Sequence, residues 1–357
     1  MQLRSIVPAL GLIACPLTIS SAQEIAKGVF LNGWVDSVFS STVTENAATT
    51  NDFGTASDVQ VGWDINERIS ATLNLRSDSE FNAFTPAEAY GSVKASERLT
   101  LSAGRSYGPF GYFANEPTGL LTVIPALTTR LYPINPSGTW AVYEVSEQIT
   151  ITGIIADGFA NGDGVNTLGQ PTGKPLSVDG HNDPNDVSYG LDIAYNPIER
   201  VGLHIQGYVD PSAGGDDAKG HAGSVLFVAV NSQYKDDQLT AGGEFIFQSV
   251  ENYAQPGQPS NNIAWAVFLS HTLPVELCPM ALTIQANEFH QDKSKLSANV
   301  AAEHDFRGQL ALLTNPLNSA QFGLNCEVFY DSTDPKIKGV DAIDSFGAAI
   351  EGLFVIP

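Results

Sequence analysis

The stretch of sequence that decides the fold reads Ile-Ser-Ala-Thr-Leu-Asn-Leu-Arg, at residues 69–76. Its apolar and polar side chains alternate strictly, and a period of two residues indicates a half-buried β-strand. The same alternation recurs along the chain, for example at residues 59–65, 187–196 and 300–312. These segments together predict an all-β protein of about 16 strands, with a range of 14–18.

The connections between these segments alternate in length, which favours a barrel over a sandwich. Short ones fall near residues 66, 96, 146, 196, 235 and 315, and longer ones at residues 40–56, 77–86, 106–137 and 159–186. Strands of about ten residues with short turns at one end and long loops at the other are typical of a transmembrane antiparallel β-barrel. A soluble β-sandwich also alternates, but it rarely sorts its connections in this way.

The N-terminus predicts export. Arg4 precedes a mostly apolar segment at residues 6–19, and the small residues before and at Ala22 suit signal-peptide cleavage. We therefore expect residues 1–22 to be a signal peptide and residues 23–357 to be a single β-barrel domain. A lipidated Cys15, in a lipobox-like context, is the alternative. After residue 22 no stretch is apolar enough for a membrane helix, so any membrane crossing must use strands.

Composition and motifs exclude several classes of function. The chain has 17 basic and 39 acidic residues, a net charge of −22, which argues against nucleic-acid binding. Cys278 and Cys326 form no metal or redox motif, and no disulfide between them is expected. Neither a hydrolase nor a metalloprotease motif occurs, so we expect no enzyme, no cofactor and no metal. Asp- and Asn-rich segments at residues 157–166 and 179–186 leave bound calcium open.

The polar face of each strand is expected to line a lumen, because the apolar face of a membrane barrel meets lipid. Acidic residues outnumber basic ones on that face, so the sequence predicts a water-filled channel that prefers cations. The predicted pore-lining residues are Asp36, Asp64, Lys94, Asp192, His204, Glu244, Glu303, Asp305, Arg307 and Glu327.

The third long connection, residues 106–137, is rich in aromatic and apolar residues. In water it would expose a large apolar patch, so we expect this loop to fold into the lumen and narrow it. The predicted constriction residues are Arg76, Glu88, Arg105, Tyr112, Glu116 and Arg130. Strict alternation turns Arg105 outward, so its place in this set requires a break in register at Gly104. The alternative is an external loop that packs over the rim or against a neighbouring subunit.

Part of this region resembles a known family. The residues concerned are Gly104-Arg105, Gly-Pro-Phe-Gly-Tyr at 108–112, Glu116, Leu-Tyr-Pro at 131–133, Gly138-Thr139 and Val145-Ser146. In order and spacing they are similar to a block of OmpL-like outer-membrane porins. The resemblance implies a porin in the bacterial outer membrane, surrounded by lipid, for passive diffusion of small hydrophilic solutes and ions. A homotrimer is left open, and so is the competing function of a surface-structural or adhesive barrel whose loops bind a partner.

Overall fold

The computed structural model describes residues 23–45, 47–78, 85–107, 109–112, 121–132, 137–156, 187–211, 224–250, 260–273, 280–292, 303–314, 322–334 and 341–356. The strands are β1 (Gln23–Ala26), β2 (Val29–Thr44), β3 (Thr50–Asp64), β4 (Ile69–Asp78), β5 (Thr85–Lys94), β6 (Leu99–Arg105), β7 (Ser137–Glu144), β8 (Ile149–Ala156), β9 (Ser188–Ile198), β10 (Val201–Asp210), β11 (Val225–Lys235), β12 (Leu239–Val250), β13 (Ser260–Leu273), β14 (Met280–Asp292), β15 (Glu303–Thr314), β16 (Phe322–Asp334) and β17 (Ile343–Ile356). A 3₁₀ helix spans Leu127–Leu131. Within these ranges no helix has the length and hydropathy that a membrane span requires.

Strands β2 to β17 form one closed antiparallel barrel of 16 strands, which confirms the predicted fold class. Each strand pairs with the next along the chain, and β17 closes the barrel by pairing with β2, where Ile350 lies opposite Phe39. Strand β1 is additional, because it only folds back as a short hairpin on the start of β2.

The two faces of the barrel wall differ as alternation predicts. In β11, for example, Val225 and Phe227 point inward and are buried, whereas Leu226 and Val228 point outward and are exposed. Exposed large apolar side chains occur on the outer face all around the barrel. Contiguous apolar surface is rare where a protein meets water, so this face has the character of a lipid-facing wall.

Two predicted connections differ from the structure. Residues 40–56 are mostly strand, because β2 and β3 stay paired as far as Thr42 opposite Thr50. The turn expected at residues 196–197 lies at residues 199–200 instead. Pro197 remains in β9, where the ladder with β10 shifts register. Since proline has no N–H to donate, it fits a strand at such an irregularity.

The short turns share a local hydrogen bond that explains their regularity. The side chains of Asn66, Ser96, Ser146 and Asp236 accept backbone N–H groups of residues two or three positions later. Asn, Asp and Ser make this contact readily because their side chains are short. These four turns close hairpins at one rim of the barrel, so the strand ends that lead into the long connections lie at the other rim.

Candidate pore constriction

The loop that follows β6 first contacts the wall through Tyr107. The Tyr107 N–H donates to Glu88 on β5 at 3.3 Å, and its hydroxyl accepts from Arg76 on β4 at 3.5 Å. The Arg76 guanidinium also lies 5.5 Å from the centre of the Trp34 ring. Two predicted constriction residues, Arg76 and Glu88, therefore meet at the start of the loop.

Arg105 behaves differently from the other predicted constriction residues. Gly104 has a φ of +136°, yet the pairing of β6 with β5 and β7 continues through Arg105 without a shift in register. Alternation alone would therefore turn Arg105 outward, although its Nε atom is buried. Among the described residues, its one recorded charge interaction is with Tyr107. The condition for including Arg105 in the constriction, a register break at Gly104, is not met.

The next part of the loop, residues 109–112, is held by inward side chains of β10 and β12. Gln206 donates to the Pro109 carbonyl and accepts the Gly111 N–H at 2.8 Å. The Tyr112 N–H donates to Glu244 at 2.9 Å. Gly111 has a φ of +93°, and a Cβ at this position would lie only 2.2 Å from the Tyr132 ring. Glycine is therefore required for this close approach.

Aromatic rings add to these hydrogen bonds. Phe110 lies edge-to-face against Tyr208 and Phe227, with ring centres 5.4 and 6.1 Å away. Tyr112 stacks on Phe268 at 5.0 Å. All five rings are buried. This packing explains why β11 and its neighbours carry apolar side chains on their inner face.

The last described part of the loop, residues 121–132, contacts β14, β15 and β16. The N–H groups of Val123 and Ile124 both donate to Glu327, at 2.6 and 3.2 Å. The Ile124 carbonyl accepts from Gln309 at 2.7 Å. The Leu127 N–H, at the start of the 3₁₀ helix, donates to Asn287 at 2.9 Å.

Two arginines complete this side of the lumen. Arg130 forms an ion pair with Asp305 and lies 5.3 Å from the centre of the Phe289 ring. Arg307 forms two hydrogen bonds to Asp331, at 2.6 and 2.9 Å, and a third to the Pro125 carbonyl at 3.2 Å. The described parts of the loop thus contact inward side chains of strands from β4 to β16.

These contacts reduce the number of inward carboxylates that face the open lumen, compared with the number that the sequence indicates. Glu244, Asp305 and Glu327 retain only 4, 4 and 2 per cent of their exposure, and each is bonded to the loop. Asp192 is also buried, and its carboxylate lies 3.0 Å from the Nδ1 atom of His204. Most of the predicted pore-lining carboxylates in the described barrel therefore have partners within the protein.

The remaining predicted residues are more dispersed. Asp36 is buried and hydrogen-bonded to Glu351 on β17. Asp64 and Lys94 are exposed at the rim of the short turns, so they lie at a mouth of the barrel. Glu303 belongs to β15, and Glu116 lies outside the described residues. Cys326 is a free, exposed thiol, whereas Cys278 and both segments considered for calcium lie outside the described residues.

Sequence reasoning missed the neutral side chains that hold the loop. Gln206, Asn287 and Gln309 all lie on the inner face and bond to loop main-chain groups. Their inward parity follows from alternation, but the predicted pore-lining residues are limited to charged residues and His204. Asp331, the partner of Arg307, was missed because it lies beyond the part of β16 that alternates clearly.

Comparison with known proteins places this fold among porin-like barrels. The sequence matches no protein-family model and no curated protein. Its structure is similar to an anion-selective porin from Comamonas acidovorans, with a TM-score of 0.64, 11% identity, and coverage of 92% of this chain and 99% of that one. It is similarly close to the outer membrane channel DcaP of Acinetobacter baumannii, with a TM-score of 0.64, 11% identity, and coverage of 94% and 100%. Salmonella typhi OmpF, in a complex with daunomycin, has a TM-score of 0.59, 13% identity, and coverage of 92% and 98%.

Proposed function

We propose that the protein is a channel for passive diffusion of small hydrophilic solutes and ions across the bacterial outer membrane. The observation that carries the proposal is that the main chain of the loop is bonded to inward side chains from Glu88 on β5 to Glu327 on β16. A polar inner wall is typical of membrane barrels that hold a water-filled channel. The porin-like fold of the solved structures above supports the same function.

The location follows from the same features. The exposed apolar side chains of the outer wall suit contact with membrane lipid, and the predicted signal peptide suits export. Membership of the OmpL-like family and assembly as a homotrimer are further proposals, which rest on the sequence resemblance and on the porin fold.

Within the channel we assign the constriction to the loop and the wall residues that face it. Arg76 and Glu88 meet Tyr107 on one side of the lumen. Tyr112 and Arg130 contact the opposite wall, through Glu244 and Asp305. The narrowing is expected where the loop crosses between these two groups, since a loop held at both sides cannot move aside.

We also propose a preference for cations. Fewer carboxylates contribute to this cation preference than the sequence indicates, because Glu244, Asp305 and Glu327 are bonded to the loop. Asp64 stays exposed at one mouth, Glu88 is half-buried, and the chain as a whole has a charge of −22. An excess of one charge sign along a channel favours ions of the opposite sign.

Recording from the purified protein in a planar bilayer tests these proposals. A deletion of residues 112–128 is expected to raise single-channel conductance, and the reversal potential in a KCl gradient is expected to indicate cation preference. Unchanged conductance in a folded deletion variant would contradict the role of the loop. A chloride preference would contradict the charge argument alone. No conductance from either protein would contradict the channel and favour a surface-structural or adhesive barrel.

A further inference from the structure

A polar cluster lies on the outer wall of the barrel, away from the lumen. It consists of Trp265 on β13, Glu288 and His290 on β14, and His304 on β15. Trp265 lies opposite Glu288, and His290 lies opposite His304. All four point outward, because the alternating neighbours Phe289 and Asp305 are buried on the inner face.

The position of this cluster makes it unusual. It lies toward the rim of the long loops, above outward apolar residues of β14 such as Leu282 and Ile284. A carboxylate on the outer face of a membrane barrel is unfavourable unless it is paired or solvated. The side chains of Glu288 and His304 remain 31 and 34 per cent exposed, so a small ligand in water can reach them.

Glu288 is held at both of its oxygens. One oxygen accepts the Trp265 indole N–H at 2.9 Å, and the other lies 2.6 Å from the Nε2 atom of His304. A carboxylate oxygen that close to a ring nitrogen requires a proton between them, so Nε2 carries the hydrogen. In that tautomer, His304 presents Nδ1 as a lone pair. Metal-binding histidines are commonly oriented in this way by a carboxylate on the other ring nitrogen.

The second imidazole lies at a suitable distance. The ring centres of His290 and His304 are 5.9 Å apart, and the rings are inclined at 69°. Two imidazoles on one tetrahedral metal, with metal–nitrogen bonds of ~2 Å, have ring centres about 5 Å apart. Because β14 and β15 are neighbouring strands, a small rotation of the His290 or His304 side chain would bring the ring centres to that separation.

We propose that His290 and His304 together bind a divalent transition metal ion, with Glu288 as the positioning residue and Trp265 fixing that carboxylate. Imidazole ligands suit Zn²⁺, Ni²⁺ and Cu²⁺, and Cu²⁺ is expected to bind most tightly of the three. Across the described ranges, no three His, Cys, Asp or Glu side chains converge on a single metal position. The protein therefore supplies two ligands, and water completes the coordination.

Titration of the tag-free, detergent-solubilised protein with Ni²⁺ and Cu²⁺ tests the proposal by calorimetry. His290→Ala and His304→Ala are each expected to weaken binding at least tenfold. Glu288→Gln is expected to weaken it by about 10- to 100-fold, as loss of an orienting carboxylate does elsewhere. The matched control is His271→Ala, since His271 is an exposed, outward histidine at the opposite end of β13, and this variant should bind as the wild type does.

Electron paramagnetic resonance of the Cu²⁺ complex provides a second measurement. Splitting from two imidazole nitrogens is expected in the wild type and from one in each single histidine variant. The proposal is overturned if the wild type binds neither ion. It is also overturned if the His290→Ala, His304→Ala double variant binds both ions as tightly as the wild type, since the ions would then lie elsewhere on the chain. Neither result depends on whether the barrel conducts.

Discussion

Replacing Glu327 by alanine removes the acceptor that holds the far side of the loop. One carboxylate oxygen accepts the N–H groups of Val123 and Ile124, at 2.6 and 3.2 Å, and the other accepts from Gln309 at 3.0 Å. Alanine at this position leaves the two loop N–H groups without this acceptor, whereas Gln309 keeps its bond to the Ile124 carbonyl at 2.7 Å. The barrel itself keeps its backbone ladder, because the pairing of β16 with β15 and β17 does not use the Glu327 side chain.

The size of the effect follows from these bonds. Hydrogen bonds to a charged group contribute roughly 1.5–3 kcal/mol each, so the two main-chain bonds hold the loop by about 3–6 kcal/mol. Water that enters the lumen replaces part of this interaction. If about 2 kcal/mol is lost, the population of the released loop rises about thirtyfold, because each 1.4 kcal/mol corresponds to a factor of ten.

Single-channel recording measures this population directly. We expect the Glu327→Ala channel to show a higher mean conductance and more open-channel noise than the wild type. Glu327→Gln keeps one acceptor oxygen, so its change should be smaller. Glu147→Ala, in an exposed short turn, is the control and should behave as the wild type. A Glu327→Ala protein that keeps the heat-dependent gel mobility of a folded barrel, yet shows unaltered conductance and noise, would refute the reasoning.

Three further predictions test the packing, the parity and a turn. Phe110→Ala should lower the free energy of loop docking by about 3 kcal/mol, as the loss of a buried aromatic ring does, and limited proteolysis should then cut the loop faster. Leu73→Arg should cost ~2–4 kcal/mol near the membrane midplane, whereas Thr72→Arg on the inner face should fold normally; equal losses in a urea titration would mean that the faces are wrongly assigned. Backbone N–H groups of the turn at residues 236–239, that of Gln238 foremost, lower the pKa of Asp236. The contribution of the Asp236 carboxylate to stability is therefore present above pH ~4 and is lost as the pH falls through the lowered pKa. The unfolding midpoint of Asp236→Asn should therefore approach that of the wild type in acid, and a constant difference at all pH values would exclude this explanation.

Alternation in the sequence was sufficient for the barrel, because a membrane wall requires apolar side chains at every second residue. Leu73 outward and Asn74 inward follow from this rule without any knowledge of tertiary contacts. The burial of the loop residues Phe110 and Tyr112 was also predictable, because exposed aromatic side chains would form an apolar patch in water. The rule failed for β11, where the inward Phe227 is as apolar as its outward neighbours. There the parity depends on a contact with Phe110, which is remote in sequence.

The roles of the charged residues could not be predicted in the same way. Parity places Asp192 and Glu244 correctly on the inner face, but it carries no information about what lies opposite them. Asp192 meets His204 on the next strand, and Glu244 meets the loop. A count of inward carboxylates therefore overestimates the charge that a permeating ion would meet, because a buried, hydrogen-bonded carboxylate is not free to attract it.

The identity of the side chains that hold the loop has a physical reason. An irregular segment inside a barrel brings unpaired N–H and C=O groups with it, and each needs a partner. A carboxylate supplies acceptors alone, so Glu327 binds N–H groups, whereas an amide supplies both kinds of group. Gln206 uses both, since it donates to Pro109 and accepts from Gly111. Inward amides near carboxylates, on strands that are remote from the loop in sequence, therefore mark the path of the loop. Replacing such an amide by a charged residue should be tolerated only where the loop does not contact the wall.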